Sequence, residues 1–219
     1  MPSKWRTHLL GGAIAVAVVA AIGLMGLSAT LFFEDFQNPA EGWLEGPDPN
    51  GNGEWSFSED TYRVLVTRPE GISQSVVPGD TEPANFCLEI SSRVLSNRPA
   101  EVGLMFGRQG DDGSANTFGV FADGAYRLGR LDGSTIENLP VTTASRKLSP
   151  AGTLNTLQIV AQENVVEFRA NGRSLAEVDR NDLSIDPRGE IGLFGRTLGQ
   201  PLAQGEFNTV RIMTPDCEP

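Results

Sequence analysis

The chain has 219 residues, 28 of them acidic against 17 basic, a net charge of −11, and a single histidine, His8. That balance repels phosphate backbones and excludes nucleic acid as a partner. With histidine confined to the first ten residues, zinc sites and acid/base chemistry built on imidazole are excluded from the remainder.

Lys4 and Arg6 precede an apolar run, Leu9 to Leu27, that carries no charge. A stretch of about 20 apolar residues is long enough to cross a bilayer as a helix, whereas a cleavable signal has an apolar core of roughly 7–15 residues. Residues 1–30 are therefore expected to form an N-terminal transmembrane anchor that meets the membrane through residues 9–28. Cleavage near Leu27-Ser28-Ala29 is the alternative. Basic residues stay inside, so the expectation is a single-pass protein with a cytoplasmic N-terminus and an extracytoplasmic domain, at the cell surface or in a periplasm. Small residues in the run (Gly11, Gly12, Ala13, Gly23 and Gly26) would let a second membrane helix approach closely. Beyond the leader, 15 basic residues face 28 acidic ones, a net of −13, which disfavours anionic lipid.

Next comes Asp48-Pro49-Asn50-Gly51-Asn52-Gly53-Glu54-Trp55-Ser56-Phe57-Ser58-Glu59, which satisfies the calcium-loop spacing D-x-[DN]-x-[DN]-G-x5-E. In that pattern alternate oxygens curl round the ion, glycine permits the bend, and the last glutamate closes the site. Asp48, Asn50, Asn52, Glu54 and Glu59 are the candidate ligands of a structural calcium; no cofactor is required. Pro49 and the missing flanking helices leave an Asn/Gly hairpin loop as the competing expectation.

From there the chain is a series of short alternating runs: Tyr62 to Val66, Phe86 to Ile90, Val102 to Phe106, Phe118 to Phe121, Tyr126 to Leu128, Leu157 to Ile159, Val166 to Phe168, Ile191 to Leu193 and Phe207 to Ile212. Asp112-Gly113, Asp123-Gly124, Asp132-Gly133 and Asn171-Gly172 stand between them and supply the positive φ angles of tight hairpins. Short strands with regular turn signals and little helical periodicity predict one all-β domain, a two-sheet antiparallel sandwich over residues 31–214 with a tail at 215–219. Cys87 opens the strand Phe86 to Val94, and Cys217 follows the strand Glu206 to Met213. If these strands pair antiparallel, both sulfurs reach one rim, and a Cys87–Cys217 disulfide would pin the C-terminus.

Alternation puts Val102, Leu104, Phe106, Phe118, Val120, Tyr126 and Leu128 on the core side. The opposite side then holds Gly103, Gly119, Gly129 and Gly192 together with Met105, Phe121, Arg127, Gln158 and Phe194. Strand glycines mark close approach by a ligand or another backbone. Met105, Phe121, Arg127, Gln158 and Phe194 are therefore the candidate ligand-binding residues, with aromatic rings to stack and polar groups to hydrogen-bond a glycan or a peptide strand. The other account of these glycines is relief of strand twist and curvature.

The phrases LFFEDFQNPAEGW, VGLMFGRQGDDGSANTFGVFADGAYRLGRL, NTLQIVAQENVVEFRANGRSLAEV, GEIGLFG and GEFNTVRI give the chain a resemblance to the concanavalin A-like lectin/glucanase superfamily, and more closely to laminin-G-like domains of bacterial exported proteins. The resemblance implies a jelly roll of two stacked antiparallel sheets, one of them concave. Glycanases of that superfamily carry E-x-D-x-x-E, the two carboxylates of glycoside hydrolysis. Glu177-Val178-Asp179-Arg180-Asn181-Asp182 is the nearest match here and departs in its last residue, so no catalytic residue is assigned. The expected function is a non-catalytic binding or scaffold module tethered to the membrane, its partner a glycan or a protein. The alternative is an accessory subunit of a larger membrane complex, its helix packing in the membrane and its domain covering a partner.

Overall fold

A computed structural model describes residues 29–79, 83–109, 113–139, 148–183 and 185–214. Fifteen strands follow in order: β1 (Thr30–Glu34), β2 (Gly46–Pro47), β3 (Gly53–Ser58), β4 (Thr61–Val66), β5 (Ile72–Val76), β6 (Phe86–Val94), β7 (Ala100–Gln109), β8 (Ser114–Phe121), β9 (Tyr126–Asp132), β10 (Thr135–Asn138), β11 (Asn155–Gln162), β12 (Val165–Ala170), β13 (Arg173–Asp179), β14 (Glu190–Thr197) and β15 (Ala203–Met213). Each alternating run found in the sequence lies inside one of them. The 9-stranded sheet runs β13-β12-β11-β6-β15-β4-β3-β2, with β1 also on β15; the 6-stranded sheet runs β10-β9-β8-β7-β14-β5. All pairings are antiparallel.

The turns form for the reason the dipeptides suggest. Asn171 and Gly172 adopt φ of 50° and 73°, the double positive φ of a type I′ hairpin whose twist matches that of its flanking strands. Between the sheets lies one apolar core, with Leu88, Ile90, Ile159, Phe168, Phe207 and Ile212 from the larger sheet against Leu104, Phe106, Phe118, Leu128 and Leu193 from the smaller.

One corner of the core is aromatic and fixes the long segment that leads to β3. The buried carboxylate of Glu34 accepts hydrogen bonds from the backbone N–H of Phe36 (2.8 Å) and Ala40 (2.8 Å) and from Trp43 Nε1 (3.2 Å). Phe36 takes φ 57° to make that turn, and its ring stacks on Tyr62 at 5.3 Å. The Tyr62 hydroxyl bonds the Leu44 carbonyl (2.5 Å) and Ser75 Oγ (2.8 Å), tying this segment to β5. Burial drives the Tyr62 pKa upward, so the hydroxyl stays protonated and can donate.

The strand pairing behind the disulfide expectation is present, with Met213 opposite Cys87. Cys87 has no free thiol and is disulfide-bonded. Cys217, its proposed partner, lies outside the described residues. The expected anchor, residues 9–28, also lies outside them; no helix among the described residues is long and apolar enough to cross a membrane.

Candidate functional site

Strand register arranges the outer face of the 6-stranded sheet in rows. Ile72, Arg196, Glu101 and Phe121 form one row across β5, β14, β7 and β8. Gln74, Phe194, Gly103, Gly119 and Arg127 form the next. A third runs Val76, Gly192, Met105, Thr117, Gly129 and Asn138. Four of the candidate ligand-binding residues, Met105, Phe121, Arg127 and Phe194, thus share one face. Gln158 does not join them. It sits on β11 in the 9-stranded sheet, where its Nε2 donates to Glu89 Oε2 at 2.8 Å.

The glycines on this face serve neighbouring side chains. A Cβ at Gly192 would collide with Met105 Cε, one at Gly119 with Glu101 Oε1, and one at Gly129 would come within 2.6 Å of Ile136 Cγ2. Met105, Glu101 and Ile136 therefore lie flat across the sheet in space that alanine would fill. Met105 and Phe194 are fully buried, within an apolar cluster that includes Ile72, Ala115, Leu131 and Ile136. An open glycine-floored trough is accordingly absent at these positions.

Arg127 is also committed. It grips both oxygens of fully buried Glu101, Nε to Oε1 at 3.1 Å and Nη2 to Oε2, and its guanidinium lies 5.1 Å from the centre of the Phe121 ring. Burial first, and then the charge of Arg196 nearby, pull the Arg127 pKa down to about 10. It remains a cation at neutral pH, held by the carboxylate beneath it.

The large concavity lies beside this paved surface. A groove of about 1000 Å³ is walled by the 42–52 segment on one side and by the β7–β8 and β9–β10 hairpin tips, Gly113 and Gly133-Ser134, on the other. Outward-facing Ile72, Gln74 and Val76 of β5 and Arg108 of β7 line it as well. Its surface alternates apolar side chains with amides and charges, the mixture that binds amphipathic ligands. Asp48, Asn50 and Asn52 stand in its wall. Asp48 is buried, its Oδ1 accepting from the Asn50 N–H at 2.6 Å, while Asn52 Nδ2 donates to the Ile72 carbonyl at 2.8 Å.

The remaining calcium candidates are elsewhere. Glu54 is exposed within β3, and Glu59, with φ 55°, sits in the turn after that strand. Five residue steps along β3 separate them, about 17 Å at the rise of a strand, so the loop never closes and its donors do not fit a calcium ion. The reason is β-pairing: Gly53–Ser58 lies straight against β4. Among the described residues no group of three acidic, cysteine or histidine side chains could hold a metal. The glycanase-like segment is likewise displaced, Glu177 and Asp179 lying on edge strand β13 of the other sheet, with Asp179 capping the short 3-10 turn Arg180–Asp182.

Gln74, Arg108 and the 42–47 part of the wall were not among the sequence candidates, whereas Asp48, Asn50 and Asn52 were, as calcium ligands rather than groove lining. Gln74 belongs to Ile72-Ser73-Gln74-Ser75-Val76, whose alternation of apolar and small polar residues was the available signal.

No protein-family model matches the chain, and no curated protein matches it. Solved structures do. The carbohydrate-binding module CBM66 from Bacillus subtilis superposes with a TM-score of 0.57 at 16% identity, covering 73% of this chain and 90% of that one. A Bacillus licheniformis β-glucanase gives 0.56 at 15% identity, covering 84% and 97%. A Bacillus subtilis protein of unknown function with a galectin-like fold gives 0.63 at 16%, covering 86% and 98%. Likeness at such identity is a likeness of architecture. The chain has the fold of a concanavalin A-like lectin/glucanase-type sandwich.

Proposed function

We propose that this chain is a non-catalytic glycan-binding module, tethered to the membrane by residues 9–28, whose groove holds a sugar chain outside the cytoplasm. The observation that carries the reading is the groove itself. Its volume of about 1000 Å³ has room for several sugar rings, and side-chain amides and Arg108 stand among apolar surfaces, as hydroxylated rings with apolar faces require. Support also comes from the fold neighbours, among them a carbohydrate-binding module and a β-glucanase.

The non-catalytic part rests on the carboxylates. Glycoside hydrolysis uses two, roughly 5–9.5 Å apart across the scissile bond. Among the described residues, two carboxylates line the groove, Glu45 and Asp48, but Asp48 is buried in its own turn, its Oδ1 accepting from the Asn50 N–H at 2.6 Å. On the three described rows of the outer face the one carboxylate, Glu101, is held by Arg127 through both oxygens. The tether rests on the length and lack of charge of the apolar run.

Full-length protein in detergent, screened on a glycan array and then by calorimetry, tests the reading. Gln74→Ala and Asn50→Ala should each weaken binding about tenfold, or about 1.4 kcal/mol, at unchanged Tm. Binding to no glycan, together with stoichiometric co-purification of a membrane protein, would replace this reading by the accessory-subunit one. An N-terminus at Ala29 in the mature protein would remove the tether and leave a secreted domain.

A further inference from the structure

A second, smaller pocket opens near the other end of the 6-stranded sheet. It has a volume of about 380 Å³ and is lined by Asn97, Arg98, Asp123, Phe121, Ala151 and Leu198 among others. It shares no lining residue with the groove. Phe121, at the end of β8, is only partly buried, whereas Asn97, Arg98 and Asp123 are exposed.

Phe121 is backed by a chain of contacts on the outer face. Gly119, two residues earlier on the same face, leaves the space in which the Glu101 carboxylate lies. Glu101 holds Arg127 through both oxygens, and the Arg127 guanidinium lies over the Phe121 ring. A cation on one face of an aromatic ring is attracted by the ring quadrupole, so the ring is backed by a buried, neutralised ion pair. A ring held by such a contact loses less side-chain freedom when a ligand packs on it, which lowers the entropic cost of binding. The polar groups around it are also placed in advance. Arg98 is oriented by Nη1 donating to the Pro201 carbonyl at 3.0 Å. Asp123 uses Oδ1 for the Ala125 N–H at 3.0 Å, within a tight turn.

We infer that this pocket is a separate subsite for a single sugar ring, which packs its C–H face on Phe121 while Asn97, Arg98 and Asp123 bond its hydroxyls. An aromatic face is electron-rich and a pyranose C–H face is its electropositive, apolar complement. A carboxylate, an amide and a guanidinium together can both accept from and donate to neighbouring hydroxyls. The volume is at the small end for ligand sites, which run from about 300 to 1,000 Å³, and so limits the occupant to about one ring. The inference extends the glycan-binding reading to a second location and can fail while the groove reading stands.

The test uses full-length protein in detergent and four probes, the methyl glycosides of glucose, galactose, mannose and N-acetylglucosamine, observed by saturation-transfer NMR. Transfer to at least one probe is expected, retained in Phe121→Tyr and in the groove variant Gln74→Ala, and weakened about tenfold or more in Phe121→Ala at unchanged Tm. Transfer to none of the four overturns the subsite, as does transfer that Phe121→Ala leaves intact. Transfer lost in Gln74→Ala but not in Phe121→Ala assigns the sugar to the groove, and overturns it too. Array binding by the unaltered chain, sensitive to Gln74, reports on the groove independently.

Discussion

The two sheets present outer faces built on opposite plans. On the 9-stranded sheet, Phe33, Arg211, Glu89, Gln158 and Arg169 form a row across five strands. Arg211 lies over Phe33, 5.4 Å from the ring centre, and Arg169 pairs with Glu167 at 2.6 Å. In a neighbouring row Glu206 is clasped by Arg63 and Arg93, and both arginines keep about a third of their side chains in water. This is the ordinary apolar-in, polar-out pattern of an antiparallel sheet. The 6-stranded sheet breaks it. Glycine, methionine, phenylalanine and one dehydrated ion pair fill the middle of its outer rows, with Met105, Phe194 and Glu101 all fully buried. On the first face Glu206 is itself buried at 1% exposure but has two arginines, each open to water, so losing either leaves the other in place. On the second, any charge left alone is stranded away from water.

The largest effect should come from separating the pair on the smaller sheet. Glu101→Ala leaves Arg127 buried without its carboxylate and should cost about 3–5 kcal/mol in urea unfolding; a loss below that of Glu89→Ala on the exposed face would erase the contrast. The disulfide comes next. Cys87 sits with Val160 and Met213 in an apolar corner of the otherwise charged face. Non-reducing mass analysis should show Cys87 joined to Cys217, and Cys217→Ser should cost about 2–4 kcal/mol. If both thiols alkylate without reductant, that corner is not stapled. Gly192→Ala drives a methyl group into Met105 and should cost about 1–3 kcal/mol, and Met105→Ala in the same chain should recover part of it. An unchanged melting temperature for Gly192→Ala would mean that the methionine does not lie there. Arg169→Ala closes the series with an expected change of about 0.5 kcal/mol or less, readable in the same unfolding experiment.

Much of the architecture was legible in the residues. Runs such as Val102 to Phe106 and Leu157 to Ile159 alternate because one side of each strand must leave water, and Asn171-Gly172 marks its hairpin because few other residues accept two successive positive φ angles. The same alternation placed Met105, Phe121, Arg127 and Phe194 on the side away from the core. It placed Gln158 there too, correctly for its own strand, but on the other sheet. The Asp48 to Glu59 pattern failed for a related reason: spacing that would curl into a loop is pulled straight once β3 pairs with β4.

Sequence by itself determined the class of fold, the inward and outward sides of each strand, the shortage of histidine chemistry and the excess of negative charge. All of these follow from composition or from a period of two residues, which a strand obeys wherever it lies. Tertiary structure alone decided which sheet each strand joined, what filled the space above Gly119, Gly129 and Gly192, and how the 42–52 segment and two hairpin tips came to wall a groove. Those outcomes depend on side chains from strands distant in the chain meeting across a sheet, and local periodicity is the same whichever neighbours it meets.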